Sequence, residues 1–168
     1  MTSLLVLGGA RSGKSRYAQK RIEARGGAMV YIATAEARDD EMAQRIALHR
    51  MDRGQDWQTF EAPIDLPGAI RTCVSADAIL VDCLTLWLSN VMLAGLSIPT
   101  ARDDLMAAVE TCSVPIALIA NEVGLGIVPD NALARRFRDE AGWLNQKLAE
   151  AVDEVVFVAA GLSMVLKP

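Results

Sequence analysis

A glycine-rich segment, GGARSGKS at residues 8–15, restricts the fold of this chain more than any other feature. It fits the pattern G-x-x-x-x-G-K-[ST] through Gly8, Gly13, Lys14 and Ser15, and it lies between an apolar run and a stretch with helical spacing. Glycines at this spacing let backbone N–H groups surround phosphate oxygens, and the N-terminus of the following helix favours negative charge. The segment therefore predicts a P-loop, in which Lys14 reaches the β- and γ-phosphates of a nucleoside triphosphate and the Ser15 hydroxyl binds Mg²⁺. A chance glycine turn that only caps a helix is the weaker alternative.

Short apolar runs alternate with longer amphipathic stretches along the whole chain. The apolar runs predict buried strands at Leu4–Leu7, Met29–Ala33, Ala78–Asp82, Ile116–Ala120 and Val155–Ala159. Helical spacing predicts helices at Lys14–Arg25, Asp40–Arg53, Thr85–Ala94, Ala101–Thr111 and Ala132–Val152. This alternation is typical of an α/β fold with a mainly parallel sheet and helices on both faces. Gly161 followed by Met164–Leu166 predicts a C-terminal hairpin strand, and residues 1–168 are interpreted as a single P-loop NTPase domain.

Charge and composition exclude several classes of protein. A net charge of −4 and a pI near 5.0 argue against general binding to nucleic acid or to an anionic membrane. Three cysteines without a CxxC pair indicate neither a disulfide framework nor a zinc site. The chain begins without a signal-peptide pattern, and its apolar runs are too short to span a bilayer. We therefore expect a cytoplasmic protein.

Asp82 is the candidate for the second Mg²⁺-organising group. It follows four apolar residues, at the point where a predicted strand meets its loop. A P-loop enzyme needs a carboxylate at such a position, although a turn or helix-capping aspartate is the alternative. The segment Asn121–Gly124 lacks the lysine and aspartate of an N-K-x-D base-reading motif, so a switch GTPase is not favoured.

The only histidine of the chain, His49, lies on a predicted helix among Arg45, Arg50 and Arg53. Neighbouring guanidinium groups disfavour the imidazolium, so the imidazole is expected to be neutral and nucleophilic near pH 7. The same arginines can hold a polyphosphate through bidentate hydrogen bonds. A neutral imidazole beside bound phosphates suits attack on phosphorus. From spacing alone, a solvated basic helix face with an incidental histidine is the favoured interpretation.

Several segments together resemble one enzyme family, bifunctional adenosylcobinamide kinase/adenosylcobinamide-phosphate guanylyltransferase of cobalamin biosynthesis. In chain order they are GGARSGKS, YIATAE, DDEMAQRIALHR, VDCLTLWLSN, NEVGLGIVPDNALARRFRDEAGWLNQ and DEVVFVAAG. The resemblance implies a RecA-like P-loop fold and a homotrimer. It also implies Mg²⁺ as cofactor, with ATP and GTP as substrates.

The activity implied by the resemblance consists of two phosphorus reactions. The enzyme phosphorylates adenosylcobinamide with ATP or GTP. It then transfers GMP from GTP to adenosylcobinamide phosphate through a guanylyl-histidine, which gives adenosyl-GDP-cobinamide. Two rival interpretations stay open: a monofunctional small-molecule P-loop kinase, and a nucleotide-dependent regulatory protein.

The resemblance also implies the site residues. The covalent histidine of the family corresponds to His49, with Lys14 as the second catalytic residue. Nucleotide contacts correspond to Gly8, Gly9, Ala10, Arg11, Ser12, Gly13, Lys14 and Ser15, to Ala33, Thr34 and Ala35, to Arg50, Met51, Asp52 and Arg53, and to Glu61 and Cys83.

Some of these roles have structural alternatives. Thr34 is equally expected as a turn residue. Without the resemblance, Glu61 is interpreted as an ordinary exposed glutamate. Cys83 is expected to contribute backbone or steric contact rather than a thiolate. Glu122 is a candidate for the kinase step or a structural cap. The three tryptophans are expected in the core rather than against the corrinoid.

Overall fold

The computed structural model describes residues 3–36 and 57–168. Its seven strands are β1 Ser3–Gly8, β2 Met29–Ala33, β3 Trp57–Glu61, β4 Ala78–Asp82, β5 Ile116–Asn121, β6 Glu154–Ala159 and β7 Leu162–Lys167. Its helices are α1 Lys14–Glu23, α2 Leu66–Thr72, α3 Leu84–Leu93, α4 Ile98–Glu110 and α5 Ala132–Ala151. In this part of the chain, no helix combines the length and the apolar character that a membrane crossing requires.

All seven strands form one sheet in the order β3-β2-β4-β5-β1-β6-β7. The first six are parallel to one another, and β7 pairs antiparallel with β6. The carboxyl ends of the parallel strands therefore meet at one edge of the sheet, where open α/β sheets bind ligands. Strand β1 lies between β5 and β6, so the glycine-rich segment that follows it lies within this edge and not at one of its ends.

Alternate residues of each strand enter two separate apolar layers, because side chains in a strand point to opposite faces. Leu4 and Val6 pack with Ile22 of α1 on one face. Leu5 packs on the other face with side chains of α2 to α5, such as Trp87 and Leu144. Helices thus cover both faces, and the predicted α/β fold with a mainly parallel sheet is confirmed.

The predicted strands agree with β1, β2, β4, β5 and β6 to within two residues at each end, and the predicted terminal hairpin is present as β6 and β7. The residues Thr59 and Phe60, which also have the character of a strand, lie within β3. Helix α2 was not predicted. It begins at Leu66 and contains Pro67 and Gly68, and its N-cap is Asp65, whose side chain accepts a hydrogen bond from the amide of Gly68. The predicted helix Asp40–Arg53 lies outside the described residues.

Two smaller expectations were wrong. The sequence indicates Asp130 as the N-cap of the predicted helix Ala132–Val152, but the N-cap of α5 is Asn131, whose Oδ1 accepts from the amide of Ala134 at 2.8 Å. Trp143 was expected in the core, but its side chain is 53% exposed. Trp87 is buried as expected, and its indole N–H donates to the carbonyl of Ile64.

Candidate functional site

The glycine-rich segment forms a tight loop between β1 and α1. Helix α1 begins at Lys14, and Gly13 before it has a φ of 95°, a left-handed conformation that glycine adopts without strain. Arg11 also has a positive φ of 54°. The amide of Ser12 donates to the carbonyl of Gly9 at 3.3 Å. This curled backbone ahead of a helix N-terminus is suited to phosphate binding.

Gly8 is required by the crowding beneath the loop. A Cβ atom at this position would lie 2.5 Å from the carbonyl oxygen of Val158 and 2.6 Å from Oγ of Ser12. Strand β6 therefore approaches the start of the loop more closely than any residue with a side chain permits.

The turn between β6 and β7 supports the loop from the side. The amide of Gly161 donates to the carbonyl of Ser12 at 2.8 Å. A Cβ atom at Gly13 would lie 3.3 Å from the Cα of Gly161. The sequence pattern did not indicate this contact, since about 150 residues separate the two segments. The hairpin of β6 and β7 thus packs against one side of the phosphate-binding loop and supports it.

Lys14 lies at the mouth of this loop, and its Nζ donates to the carbonyl of Gly9 at 3.3 Å. Ser15 follows it, partly exposed, in the first turn of α1. The Oγ of Ser12 is buried and lacks a hydrogen-bond partner among the described residues. The loop therefore holds a lysine and polar groups where a triphosphate would lie.

A row of predicted site residues crosses the carboxyl edge of the sheet. Ala33 at the end of β2 is paired with Glu61 at the end of β3 and with Asp82 at the end of β4. The parallel register therefore places these three residues side by side. Helix α1 packs against β4, β5 and β1, so its first turn lies over the same edge.

Thr34 is a buried tie between β2 and β4. Its hydroxyl donates to the carbonyl of Cys83 at 2.7 Å and accepts from the amide of Cys83 at 2.8 Å. Its amide donates to the carbonyl of Asp82, and its carbonyl accepts from Nδ2 of Asn90 at 2.8 Å. The structure therefore gives Thr34 a structural role in holding Ala33 and Asp82 in position. Asn90, which sequence reasoning missed, stands out only as a polar residue in the apolar helix α3.

Cys83 has no thiolate character. Burial raises the pKa of its thiol to about 11, and the nearby Asp82 carboxylate also raises it. The amides of Leu86 and Thr85 and the ammonium of Lys14 oppose this increase. The raised pKa agrees with the expectation that Cys83 contributes backbone or steric contact rather than a thiolate. Helix α1, which begins at Lys14, packs against β4, so the phosphate-binding loop and the end of β4 lie at the same edge of the sheet.

The end of β5 lies next to the phosphate-binding loop. Asn121 is paired with Gly8 in the register of β1 and β5, and its amide donates to Oγ1 of Thr85 at 2.7 Å. Its Oδ1 is buried and has no partner among the described residues. The carboxylate of Glu122 accepts a hydrogen bond from the amide of Gly124, which corresponds to the structural-cap alternative for Glu122.

Residues 4–166 match the model of the CobU family, which is described as cobinamide kinase / cobinamide phosphate guanyltransferase. The chain belongs to this family. The bifunctional adenosylcobalamin biosynthesis protein CobP of Pseudomonas aeruginosa is 47% identical, over 97% of this chain and 96% of the relative. The CobU protein of the same description from Salmonella typhimurium is 43% identical, over 98% and 99%. CobU of Escherichia coli is 39% identical over the same shares.

Two solved structures from outside the family share the fold of this CobU-family chain. The P4 protein from bacteriophage phi6 in complex with ADP matches with a TM-score of 0.50, over 96% of this chain and 52% of that chain. An ATPase from the type III secretion system of pathogenic bacteria matches with a TM-score of 0.54, over 98% and 56%. Both are 11% identical in sequence, so the likeness concerns the P-loop NTPase fold alone.

Part of the predicted CobU-family site lies outside the described residues. These residues are His49, Arg50, Met51, Asp52 and Arg53, together with Arg45. The remaining predicted residues all lie at the carboxyl edge of the sheet or in the loop after β1. The structure therefore brings the described members of the predicted triphosphate site close together. The role of the histidine segment stays a prediction from sequence.

Proposed function

We propose that this chain carries out both reactions of its family on one triphosphate site. In the first, it phosphorylates the aminopropanol hydroxyl of adenosylcobinamide with ATP or GTP. In the second, it transfers GMP from GTP to the resulting phosphate and releases pyrophosphate. The observation that carries this proposal is the single phosphate-binding loop among the described residues, facing the row of strand ends in a member of the CobU family.

The kinase step is a direct displacement. The substrate hydroxyl attacks the γ-phosphorus, the bond from that phosphorus to the bridging oxygen breaks, and ADP or GDP leaves while the hydroxyl proton passes to solvent. Lys14 and the amides of the loop stabilise the charge on the transferring phosphoryl group. This step requires no nucleophile from the protein.

The guanylyl transfer uses His49 as nucleophile. An imidazole nitrogen attacks the α-phosphorus of GTP and pyrophosphate leaves with the electron pair of the broken P–O bond. A phosphate oxygen of adenosylcobinamide phosphate then attacks the phosphoramidate, and the P–N bond breaks to return neutral histidine. Dividing the transfer into two displacements is covalent catalysis. The arginines beside His49 support the proposal because they hold phosphates and disfavour the imidazolium.

Ser15 and Asp82 would hold Mg²⁺. A hydroxyl and a carboxylate suit this ion, which takes oxygen ligands and usually completes its shell with phosphates and water. Helix α1, which contains Ser15 in its first turn, packs against β4, which ends at Asp82, and this supports the pairing. When bound, the ion would neutralise charge on the triphosphate. The described residues contain no cluster of three or more metal-binding side chains, so the pair needs the nucleotide to complete the site.

The further nucleotide contacts follow the same edge of the sheet. We propose contacts at Gly8 to Ser15, at Ala33, Thr34 and Ala35, at Glu61 and Cys83, and at Arg50, Met51, Asp52 and Arg53. The hydrogen bonds of Thr34 indicate that it positions its neighbours. Glu61 is suited to accept hydrogen bonds from a guanine edge or a ribose.

We also propose that residues 1–168 act as one domain in a cytoplasmic homotrimer that does not bind nucleic acid. Strand β7 supports self-association. It is an edge strand, and its apolar side chains are more than half exposed at Leu162, Met164, Val165 and Leu166. Such a surface favours pairing with another chain. Because the turn before β7 touches the phosphate-binding loop, subunit contacts there would lie close to the site.

The division of roles can be tested with His49→Ala. This variant is expected to lose guanylyl transfer and to keep phosphorylation of adenosylcobinamide, measured separately on the same preparation. Loss of both activities in a folded variant would contradict the division. Wild-type protein that phosphorylates but never transfers GMP would support the rival monofunctional kinase, and wild-type protein without either activity would support a regulatory role.

A further inference from the structure

A loop at residues 123–128, after β5, exposes an unusual set of apolar side chains. Leu125 is 83% exposed, Ile127 is 98% exposed and Val128 is 63% exposed. The segment Val123–Pro129 contains no charged residue. Exposed apolar side chains that lie together, bordered by polar residues, mark binding surfaces. Here the bordering residues are Glu122 and Asp130.

The 123–128 loop is held at both ends. The carboxylate of Glu122 accepts from the amide of Gly124 at the start. At the far end, Nη1 of Arg135 donates to the carbonyl of Pro129 at 2.9 Å and to that of Asp130 at 2.7 Å. Side chains on a loop tied in this way offer a preformed surface, which lowers the entropy lost on binding.

The 123–128 loop adjoins the triphosphate site. Asn121 is paired with Gly8, and the amide of Glu122 donates to the carbonyl of Gly8 at 3.1 Å. The chain thus leaves β5 directly beside the start of the phosphate-binding loop. A molecule that accepts a phosphoryl group there has to approach past the side chains that this edge presents to solvent.

We propose that the 123–128 loop binds the corrin macrocycle of the acceptor substrate, with Leu125 and Ile127 against its methyl-bearing surface. The inference rests on the proposed function, which places adenosylcobinamide at this edge. The acceptor is far larger than its reacting hydroxyl and carries a broad, uncharged ring periphery. An uncharged apolar loop next to the phosphate site matches that chemistry, whereas the phosphate-binding loop matches the triphosphate.

A second copy of the chain is the competing occupant. Three side chains are few against the roughly 20–30 residues that each side contributes to a standard protein interface. Strand β7 offers a separate exposed apolar surface for self-association. The position beside Gly8 therefore favours the substrate.

The test is the double variant Leu125→Ser/Ile127→Ser. Both side chains are exposed, so folding should be preserved, and circular dichroism and sedimentation would check folding and oligomeric state. We expect the KM for adenosylcobinamide in the kinase reaction to rise about tenfold or more, since apolar contacts discriminate to this extent. The KM for the nucleoside triphosphate should stay unchanged. The conservative pair Leu125→Met/Ile127→Val should restore most of the substrate affinity.

Val74→Ser is the matched control. Val74 is 63% exposed and precedes β4, at the opposite edge of the sheet, so its replacement should leave both KM values unchanged. An unchanged KM for adenosylcobinamide in the double variant would overturn the inference, and so would a change accompanied by loss of assembly, which indicates a second copy. Wild-type protein that fails to phosphorylate adenosylcobinamide would overturn the proposed function and the inference with it.

Discussion

The loops after β1 and β5 leave neighbouring strands at the same edge of the sheet, yet they present opposite chemistry. Residues 8–15 offer backbone amides, one lysine and a helix N-terminus. The 123–128 loop offers apolar side chains that are largely exposed. Two adjacent loops of this kind suit two ligands of different character, a polyphosphate and the large corrin ring of the proposed acceptor. Under the proposed function, neighbouring connections at one sheet edge would thus divide donor and acceptor binding between them.

The substitution Lys14→Ala is expected to have the largest effect, and it tests whether the loop after β1 serves the triphosphate rather than the acceptor. Both proposed reactions begin with a triphosphate in the same loop, so both should slow on the order of a hundredfold or more, because a positive charge acts most on the transition state. Steady-state assays of phosphorylation and of GMP transfer would measure the two losses. The KM for adenosylcobinamide should change little, in contrast to the 123–128 variants.

Full guanylyl transfer in Lys14→Ala alongside a dead kinase would contradict this account. It would show that the second reaction uses a triphosphate site other than residues 8–15. The folding of the variant has to be checked first, and its far-ultraviolet circular dichroism should match that of the wild type.

A pair of glycine substitutions, one in each loop, tests the difference in packing between the loop after β1 and the loop after β5. Gly8→Ala would place a Cβ atom 2.5 Å from the carbonyl oxygen of Val158, whereas a Cβ atom at Gly126 would meet nothing within 4 Å. We expect Gly8→Ala to lower the free energy of unfolding by about 1–3 kcal/mol, the usual cost of overpacking. Gly126→Ala should change it by less than about 0.5 kcal/mol. Denaturant titration would measure both, and equal stabilities would contradict the packing described for Gly8.

The smallest expected effect concerns the ion pair that joins the last turn of α1 to the start of β6, at the amino edge of the sheet. Nη1 and Nη2 of Arg21 donate to the two carboxylate oxygens of Glu154 at 2.8 and 2.7 Å. The guanidinium lowers the pKa of the Glu154 carboxyl below its usual value. The folded state therefore gains stability above the unfolded pKa, and this gain is lost as pH falls through the folded pKa.

Glu154→Gln should thus lower the free energy of unfolding by about 1 kcal/mol at most near pH 7, since solvent screens part of the pair. The difference from wild type should shrink as pH falls below about 4.5, the ordinary range of a glutamate. Urea titrations at pH 7 and at acid pH would show it. Glu110→Gln, at an exposed glutamate on α4, is the control for loss of one charge. A difference that stays constant with pH would exclude the ion pair as its cause.

The fold followed from sequence because its signals are local. Five of the strands, β1, β2, β4, β5 and β6, are short apolar runs, and the pattern at residues 8–15 carries its own strand–loop–helix context. Strand β3, Trp57–Glu61, is the exception, since it is largely polar and exposed. Helix α2 escaped prediction because Pro67 and Gly68 normally indicate a turn, whereas here the proline occupies the first helical turn and Asp65 caps it.

The supports of the site could not be predicted, because they depend on long-range geometry. The contact of Gly161 with Ser12 and the bonds of Thr34 with Cys83 join segments that no spacing rule connects. Similarly, the apolar residues of the 123–128 loop resemble core residues in sequence, and only the structure shows their exposure.

The central claim, covalent guanylyl transfer through His49, is tested most directly by intact-mass measurement after incubation with GTP and Mg²⁺. The account predicts a mass increase of one GMP that is stable to base, labile to acid and absent in His49→Ala. Localisation of the increment to the peptide carrying His49 would complete the assignment. The absence of any GMP-sized increment, under conditions where the wild-type enzyme transfers GMP to adenosylcobinamide phosphate, would contradict it.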